Sequence, residues 1–121
     1  MSDQLLKMYW LPNCSTCRQA VEYIEKNGHA IAELRDIKTN PLNRSEVVRL
    51  SALVGGVDQL FSRRARKYRE MNLAGRELSE DEMIDLMSKE YTFIKRPVLV
   101  SNGRAVAGFS MGMYDGFLEK A

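Results

Sequence analysis

The sequence predicts a mixed α/β fold, and three observations support this prediction. The 121-residue chain opens with an apolar run, two cysteines and a helical pattern over residues 5–27. Its middle carries helix-capping patterns that begin at Asn43 and Ser79. Near its end, two short apolar runs flank Asn102 and Gly103, a strong hairpin signal. The predicted order is therefore β-α-β, a helical block, β-β and α.

The first third of the chain is predicted to form a β-α-β unit. Residues 5–10 are apolar enough for a central strand, and residues 30–37 alternate loosely as a second strand. The intervening helix should run from about residue 15 to residue 27, with Gly28 as its stop. Because a helix connects the two strands, they should be parallel. The helix should bury one face, made of Cys17, Ala20, Val21 and Ile24.

The middle of the chain is predicted to be a helical insertion over about residues 43–93. Asn43 with Glu46 and Ser79 with Glu82 have the spacing of capping boxes, which mark helix starts. The first helix should end at Gly55 and Gly56, and residues 57–78 should contain short helices. The second capped helix should reach about Tyr91. The apolar positions predicted to face inward are Val47, Leu50, Leu53 and Val54, then Met83, Ile84, Met87 and Tyr91.

The end of the chain predicts a hairpin and a last helix. Residues 97–101 and 104–109 read as its strands, and Ser110 is placed to cap a helix to about residue 119. The complete order is that of a thioredoxin-like fold with helices inserted in its middle. We therefore predict a single domain over residues 1–121.

Composition and charge exclude several classes of function. The formal charge of +2 is too small to indicate direct nucleic-acid binding. No stretch has the length and apolarity of a membrane span, and the first residues lack the pattern of a secretory signal. We therefore expect a cytoplasmic protein, in which thiols are kept reduced and a permanent structural disulfide is disfavoured.

Cys14 and Cys17 are the two cysteines of the chain and form a C-x-x-C motif at the predicted helix start. Unpaired amides and the dipole at a helix N-terminus stabilise a thiolate. Cys14 should be the more exposed and acidic thiol, and thus the nucleophile. Cys17, one turn into the helix, is placed to attack a mixed disulfide or sulfenic acid on Cys14. Arg18 adds a positive charge nearby.

Two other interpretations of the cysteines remain open. A C-x-x-C motif is half of many zinc sites, but this chain has no second cysteine pair and one histidine, His29. Free cysteines also pack as small inert apolar residues. The position at a helix start favours the redox pair over both.

Arg96 and Pro97 precede the predicted hairpin. In a thioredoxin-like order, a proline at this point is cis and lies against the redox motif, so Pro97 is the candidate. Arg96 would then project toward Cys14 and bind an anion or stabilise the thiolate. The alternative is an ordinary proline at the start of a strand.

A basic run over residues 62–69 carries five positive charges. Such a run is usually a solvated face. The functional alternative is that Arg64 or Arg63 turns toward the active site while the others meet an acidic partner. Sparse aromatic residues argue against single-stranded nucleic acid. The predicted anion-binding residues are Arg63, Arg64, Arg96 and Pro97.

Residues 9–18, 61–73 and 94–100 resemble the ArsC/Spx family, which contains arsenate reductases, Spx regulators and YffB-like proteins. The resemblance covers nearly the whole chain and implies a thioredoxin-like fold with an inserted helical subdomain. It also implies that the Arg96–Pro97 bond is cis.

In the arsenate reductases that the chain resembles, the residue matching Cys14 attacks arsenate, and glutathione with glutaredoxin regenerates it. No bound cofactor is implied beyond this thiol reductant. Three arginines surround the oxyanion in those enzymes. Arg96 matches one of them, whereas Ser62 stands at the second position and Gly108 near the third.

Spx regulators resemble the chain in carrying C-x-x-C, and Arg64 matches an arginine that pairs with their oxidised state. They act by binding the α subunit of RNA polymerase. The end of the chain, residues 103–109 with Tyr114, is more similar to YffB-like members, suspected glutathione-dependent oxidoreductases. We therefore expect an arsenate reductase-like thiol oxidoreductase, with a redox-sensing transcriptional regulator as the alternative.

Overall fold

In the computed structural model, which describes residues 5–119, four strands form one sheet in the order β2-β1-β3-β4. The strands are β1 (Leu6–Trp10), β2 (Ile31–Asp36), β3 (Val98–Ser101) and β4 (Arg104–Ala107). The helices are α1 (Ser15–Lys26), α2 (Arg44–Leu53), α3 (Val57–Leu60), α4 (Arg66–Glu70), α5 (Glu80–Lys89) and α6 (Met111–Glu119). The 3-10 turns are Leu73–Gly75 and Tyr91–Phe93. The predicted order of elements is confirmed, and the fold is thioredoxin-like.

The chain divides into two compact units. One is formed by residues 41–95 and contains α2 to α5. The other is formed by the sequence on both sides of that segment and contains the sheet, α1 and α6. The division follows the sequence pattern, in which the helical block interrupts a β-α-β and β-β-α order. That the chain acts as a single domain stays a prediction.

The first strand is one of the two inner strands of the sheet, as its apolar sequence predicted. Met8 of β1 pairs with Leu34 of β2 in parallel and with Leu99 of β3 in antiparallel register. Leu6, Met8 and Leu99 are fully buried, and α1 and α6 contribute further side chains to the same core. Because β1 is held on both edges, the loop that follows Trp10 starts from a fixed point.

The first helix ends at Lys26, two residues before Gly28, which the sequence predicted as its stop. Gly28 has a φ of +85°, a left-handed conformation that glycine adopts without strain. Its N–H donates to the Glu25 carbonyl at 3.0 Å, and the His29 N–H donates to the Ile24 carbonyl at 3.1 Å. This pair of bonds is a Schellman motif, which satisfies the last carbonyls of α1.

The hairpin at the end of the sheet is also confirmed. Ser101 pairs with Arg104, and between them Asn102 and Gly103 have φ values of 49° and 77°. Two left-handed residues make a type I′ turn, whose twist matches that of the flanking strands. The turn fixes the register of β3 and β4. The helix α6 then starts after Ser110, whose hydroxyl accepts a bond from the Met113 N–H at 3.2 Å.

Both predicted capping boxes are present in the unit of residues 41–95. The Asn43 side chain accepts from the Glu46 N–H at 2.9 Å, and the Glu46 side chain accepts from the Asn43 N–H at 3.0 Å. Ser79 and Glu82 form the same pair of bonds at 3.1 and 3.0 Å. Short helices fill residues 57–78, as expected.

The end of α5 differs from the prediction. The helix stops at Lys89, because Glu90 takes an extended conformation with φ −141° and ψ 109°. Tyr91 therefore begins a 3-10 turn and is only half-buried, while Phe93 is fully buried. The rings of Phe93 and Phe61 stack with centroids 5.4 Å apart. Phe93 thus takes the inward-facing place that was predicted for Tyr91.

Three other residues that were predicted to face inward are only half-buried. They are Leu53, Val54 and Ile84.

None of the helices within residues 5–119 is long and apolar enough to cross a membrane.

Candidate functional site: a thiol pair beside a cis proline

Cys14 is the N-cap residue of α1, and Cys17 lies in the first turn of that helix. Cys14 has an extended backbone, with φ −90° and ψ 121°, and its carbonyl accepts the first helical bond from the Arg18 N–H at 3.0 Å. Its own N–H donates to the Leu11 carbonyl at 3.1 Å, which closes the loop between strand and helix. Cys14 is half-buried, Cys17 is fully buried, and both are free thiols.

The surroundings of Cys14 favour its thiolate. Burial raises the pKa of Cys14, but hydrogen bonds from the Cys17 backbone N–H and the Cys17 thiol lower it. The positive charge of Arg96 and the Thr16 N–H lower the pKa further. The net pKa of Cys14 lies below its ordinary value, so the chain builds a stabilised thiolate at the start of α1.

The surroundings of Cys17 keep its proton. Burial raises the pKa of Cys17 to about 12, although the Leu11 N–H and the charge of Arg96 act in the opposite direction. The hydrogen bond to Cys14 and the negative charge of Cys14 also raise the pKa of Cys17. The pKa of the two thiols of one helical turn therefore differs in the direction expected for a nucleophile and a resolving thiol. That Cys14 is the nucleophile stays a prediction.

The Arg96–Pro97 peptide bond is cis, which confirms the prediction made for Pro97. Pro97 is buried and Arg96 is half-buried. The positive charge of Arg96 acts on both sulfur atoms. Arg96 is thus placed so that its charge influences both thiols, while its role in binding an anion stays a prediction.

A hydrogen-bonded connection behind Pro97 was not found from the sequence. The Gly108 N–H donates to the Pro97 carbonyl at 2.7 Å, one step beyond the last β3–β4 pair, Val98 with Ala107. The Tyr114 hydroxyl of α6 donates to the Gly108 carbonyl at 2.9 Å. The bond between Gly108 and Pro97 continues the register of the predicted hairpin, whereas no sequence signal marked the bond from Tyr114 to Gly108.

Arg63 and Arg64 lie in the unit of residues 41–95, and both are exposed. The guanidinium of Arg63 bonds the Asp58 carboxylate at 2.7 Å and lies 5.4 Å from the centre of the Phe61 ring. The hydrogen bond that Arg63 donates to the Asp58 carboxylate raises the pKa of Arg63. The Arg64 backbone N–H donates to the Ser62 hydroxyl at 3.3 Å. An anion-binding role for Arg63 and Arg64 stays a prediction.

The zinc interpretation requires further ligands beside the two thiols. Over residues 5–119, no three His, Cys, Asp or Glu side chains are grouped so that they could hold a metal ion.

Comparison with known proteins identifies the family. The model of the ArsC family matches residues 9–117 of the chain. The chain belongs to the ArsC family. The match includes the C-x-x-C motif, the helical insertion and the Arg96–Pro97 segment, and it confirms the resemblance predicted from these residues.

Members of the ArsC family with different names resemble the chain to a similar degree. The uncharacterised protein YusI of Bacillus subtilis is 32% identical over 113 residues, which are 91% of this chain and 95% of YusI. The global transcriptional regulator Spx of Streptococcus mutans is 28% identical over 117 residues, 96% of this chain and 85% of Spx. The structure of an arsenate reductase from Vibrio cholerae matches with a TM-score of 0.78 and 26% identity, covering 88% and 91% of the two chains. The family thus includes both reductases and regulators.

Proposed function

We propose that this ArsC-family protein is a thiol oxidoreductase in which Cys14 is the nucleophile and Cys17 the resolving thiol. The observation that supports the proposal most strongly is the contrast within one helical turn. The pKa of Cys14 is lowered, whereas the pKa of Cys17 is raised to about 12. A dithiol works in sequence when one sulfur attacks first and the other is held back until it is needed.

The reaction of this pair with a disulfide conserves atoms and electrons. The Cys14 thiolate attacks one sulfur of the substrate, the substrate S–S bond breaks, and one thiolate leaves. The Cys17 sulfur then attacks the Cys14 sulfur, passes its proton to the departing thiolate, and closes the Cys14–Cys17 disulfide. Two protein thiols are oxidised and one substrate disulfide is reduced to two thiols. Two glutathione molecules, or a glutaredoxin dithiol, restore the reduced pair.

The order of the two attacks has an electrostatic basis. The negative charge of Cys14 contributes to the raised pKa of Cys17. When Cys14 is bonded to the substrate, that charge is gone while Arg96 remains. Burial still raises the pKa of Cys17, but that pKa falls when the charge on Cys14 is lost, so Cys17 gives up its proton more easily when it has a disulfide to attack.

Arsenate is the substrate that we propose first, on the basis of the likeness to the Vibrio cholerae arsenate reductase. Cys14 would bond to arsenic with release of water, and a second thiol would then attack Cys14, reducing arsenic by two electrons and forming a disulfide. Arg96 would neutralise the oxyanion. The proposed setting is the cytoplasm, where glutathione is abundant.

Arsenate-dependent oxidation of NADPH, coupled through glutathione, glutaredoxin and glutathione reductase, tests this proposal. We expect turnover in the parent protein and none in Cys14→Ser. Activity retained in Cys14→Ser would reject Cys14 as the nucleophile. Absence of turnover with arsenate, together with reduction of a disulfide substrate, would reject arsenate and leave the oxidoreductase.

A redox-sensing regulator is the second candidate, because the Spx relative shares 28% identity over 85% of its own length. In this case the Cys14–Cys17 disulfide would alter a surface that binds the α subunit of RNA polymerase. Titration of the isolated polymerase α subunit with the reduced and the oxidised protein tests whether the protein is such a regulator. A Kd that differs between the two states supports the regulator, and absence of binding in both rejects it.

A further inference from the structure

A buried tyrosine is connected to the redox site through two hydrogen bonds in series. Tyr114 of α6 is fully buried, and its hydroxyl donates to the Gly108 carbonyl at 2.9 Å. The same residue, Gly108, has an N–H that donates to the Pro97 carbonyl at 2.7 Å. Pro97 follows Arg96 directly, and the charge of Arg96 acts on Cys14. The series therefore leads from α6 to the residue beside the nucleophile.

The ring of Tyr114 is fixed, so its hydroxyl is a rigid donor. The ring meets Phe109 edge-to-face, with centroids 4.9 Å apart. It belongs to the core that also contains Ala20 and Ile24 of α1. A hydroxyl on a ring held at this many points has little freedom, and the acceptor that it bonds is held with it.

Gly108 connects the end of β4 to the start of α6 in a left-handed conformation. Its φ is +87°, which allows its carbonyl and N–H to serve two different elements. Without the tyrosine hydroxyl, the Gly108 carbonyl would lose this partner, and the peptide unit between Gly108 and Phe109 would lose one of its restraints.

We propose that Tyr114 is a positioning residue of the redox site, which acts through Gly108 and Pro97 to hold Arg96 beside Cys14. The inference rests on the proposed function, in which Cys14 is the nucleophile. Tyr114 exchanges no electron or bond with the substrate. Its effect is on the position of the Arg96 guanidinium when the Cys14 thiolate forms.

The test is the pH dependence of alkylation of Cys14 by iodoacetamide, measured in a Cys17→Ser background. Tyr114→Phe keeps the ring and removes the hydroxyl. We expect the alkylation midpoint to rise by about half a pH unit, which is about a threefold loss of thiolate at a pH below the midpoint. Tyr23→Phe is the matched control, since the Tyr23 hydroxyl of α1 bonds Asp115 of α6, whereas the Tyr114 hydroxyl bonds Gly108. The control should keep the parent midpoint.

The outcomes separate this inference from the proposed function. A parent midpoint no lower than that of a free thiol would reject Cys14 as an activated nucleophile. A lowered parent midpoint that Tyr114→Phe leaves unchanged, or that Tyr23→Phe shifts equally, would overturn the role of Tyr114 alone. A measurement that needs no variant is hydrogen exchange of the Gly108 amide in the parent protein. Protection of that amide supports the series of bonds, and exchange at the rate of an open chain overturns it.

Discussion

Cys14 accepts hydrogen bonds from both the backbone N–H and the thiol of Cys17. These contacts stabilise a negative charge on Cys14, while burial, with the thiol contact to Cys14 as a smaller cause, raises the pKa of Cys17 to about 12. Two chemically identical side chains in one helical turn thus have pKa values shifted in opposite directions.

Cys17 should make the fold less stable at alkaline pH. In the unfolded chain its thiol loses a proton near pH ~8.5, whereas the folded pKa is about 12. Between these values the unfolded chain binds fewer protons, so the free energy of unfolding falls as pH rises, by about 2 kcal/mol at pH ~10. Cys14 acts in the opposite sense: its lowered pKa contributes stability that is present at alkaline pH and lost as pH falls through the folded value.

Urea unfolding at a series of pH values from ~7.5 to ~10.5 measures this effect, with Cys17→Ser as the comparison. The parent protein should lose stability relative to Cys17→Ser as pH rises. Parallel curves for the two proteins would show that Cys17 does not retain its proton in the fold.

Arg96→Gln should slow the reaction of Cys14. Removing the positive charge raises the pKa of Cys14 and lowers the thiolate fraction, so alkylation at pH ~6.5 should slow by about three- to tenfold. Arg96→Lys should recover part of the rate because it keeps a charge. Arg18→Gln is the control: Arg18 is exposed and donates to the Pro12 carbonyl at 3.1 Å. If Arg18→Gln slows alkylation as much as Arg96→Gln does, the effect is one of general charge and not of position.

Gly108→Arg should not restore an oxyanion-binding arginine. The arsenate reductases that the chain resembles carry their third such arginine near this position. An added Cβ at Gly108 meets no atom within 4 Å, but the φ of +87° disfavours any L side chain. We expect a loss of about 1 kcal/mol of folding stability and no gain in arsenate-dependent turnover. Gly112→Arg, in α6 with equally open space, is the control for the added charge. A gain in turnover specific to Gly108→Arg would show that the missing arginine, and not the backbone, limits the site.

Ser79→Ala should destabilise the unit of residues 41–95. The Ser79 hydroxyl accepts from the Glu82 N–H at 3.1 Å, and its loss leaves a helix start uncapped, at a cost of about 1 kcal/mol. Ser88→Ala, in the same helix, removes a hydroxyl that bonds the Asp85 carbonyl one turn earlier and should change stability by less than about 0.5 kcal/mol. Thermal unfolding followed by circular dichroism measures both variants, and equal losses would contradict the capping role.

Local signals made most of the fold predictable from the sequence. Asn102 and Gly103 can supply two consecutive left-handed residues, and Ser79 with Glu82 can close a capping box, because each pattern depends only on neighbours in the chain. The end of α5 was not predictable in this way, since whether Tyr91 or Phe93 faces inward depends on where Phe61 stands. The same holds for Arg63, whose pairing with Asp58 arises from the path between α3 and α4.

The candidate site was predictable for residues whose type and place in the order of helices and strands both indicate a redox site. Cys14 and Cys17 are marked by their spacing at a helix start, and Pro97 by its place before the third strand. The bond from the Tyr114 hydroxyl to the Gly108 carbonyl was not predictable, because it joins a helix to a loop through a backbone atom that every residue has. The bond from Gly108 to Pro97 continues the register of the predicted hairpin.

The stoichiometry of thiol release from a small chromogenic aromatic disulfide tests the central claim most directly. With the parent protein, attack by Cys14 and resolution by Cys17 should release two thiols per protein and leave a Cys14–Cys17 disulfide. Cys17→Ser should release one thiol and retain the other half of the reagent on Cys14, which mass spectrometry identifies. Cys14→Ser should release almost none at pH ~7, because burial holds the proton on Cys17. Rapid release of thiol by Cys14→Ser would contradict the assignment of nucleophile and resolving cysteine.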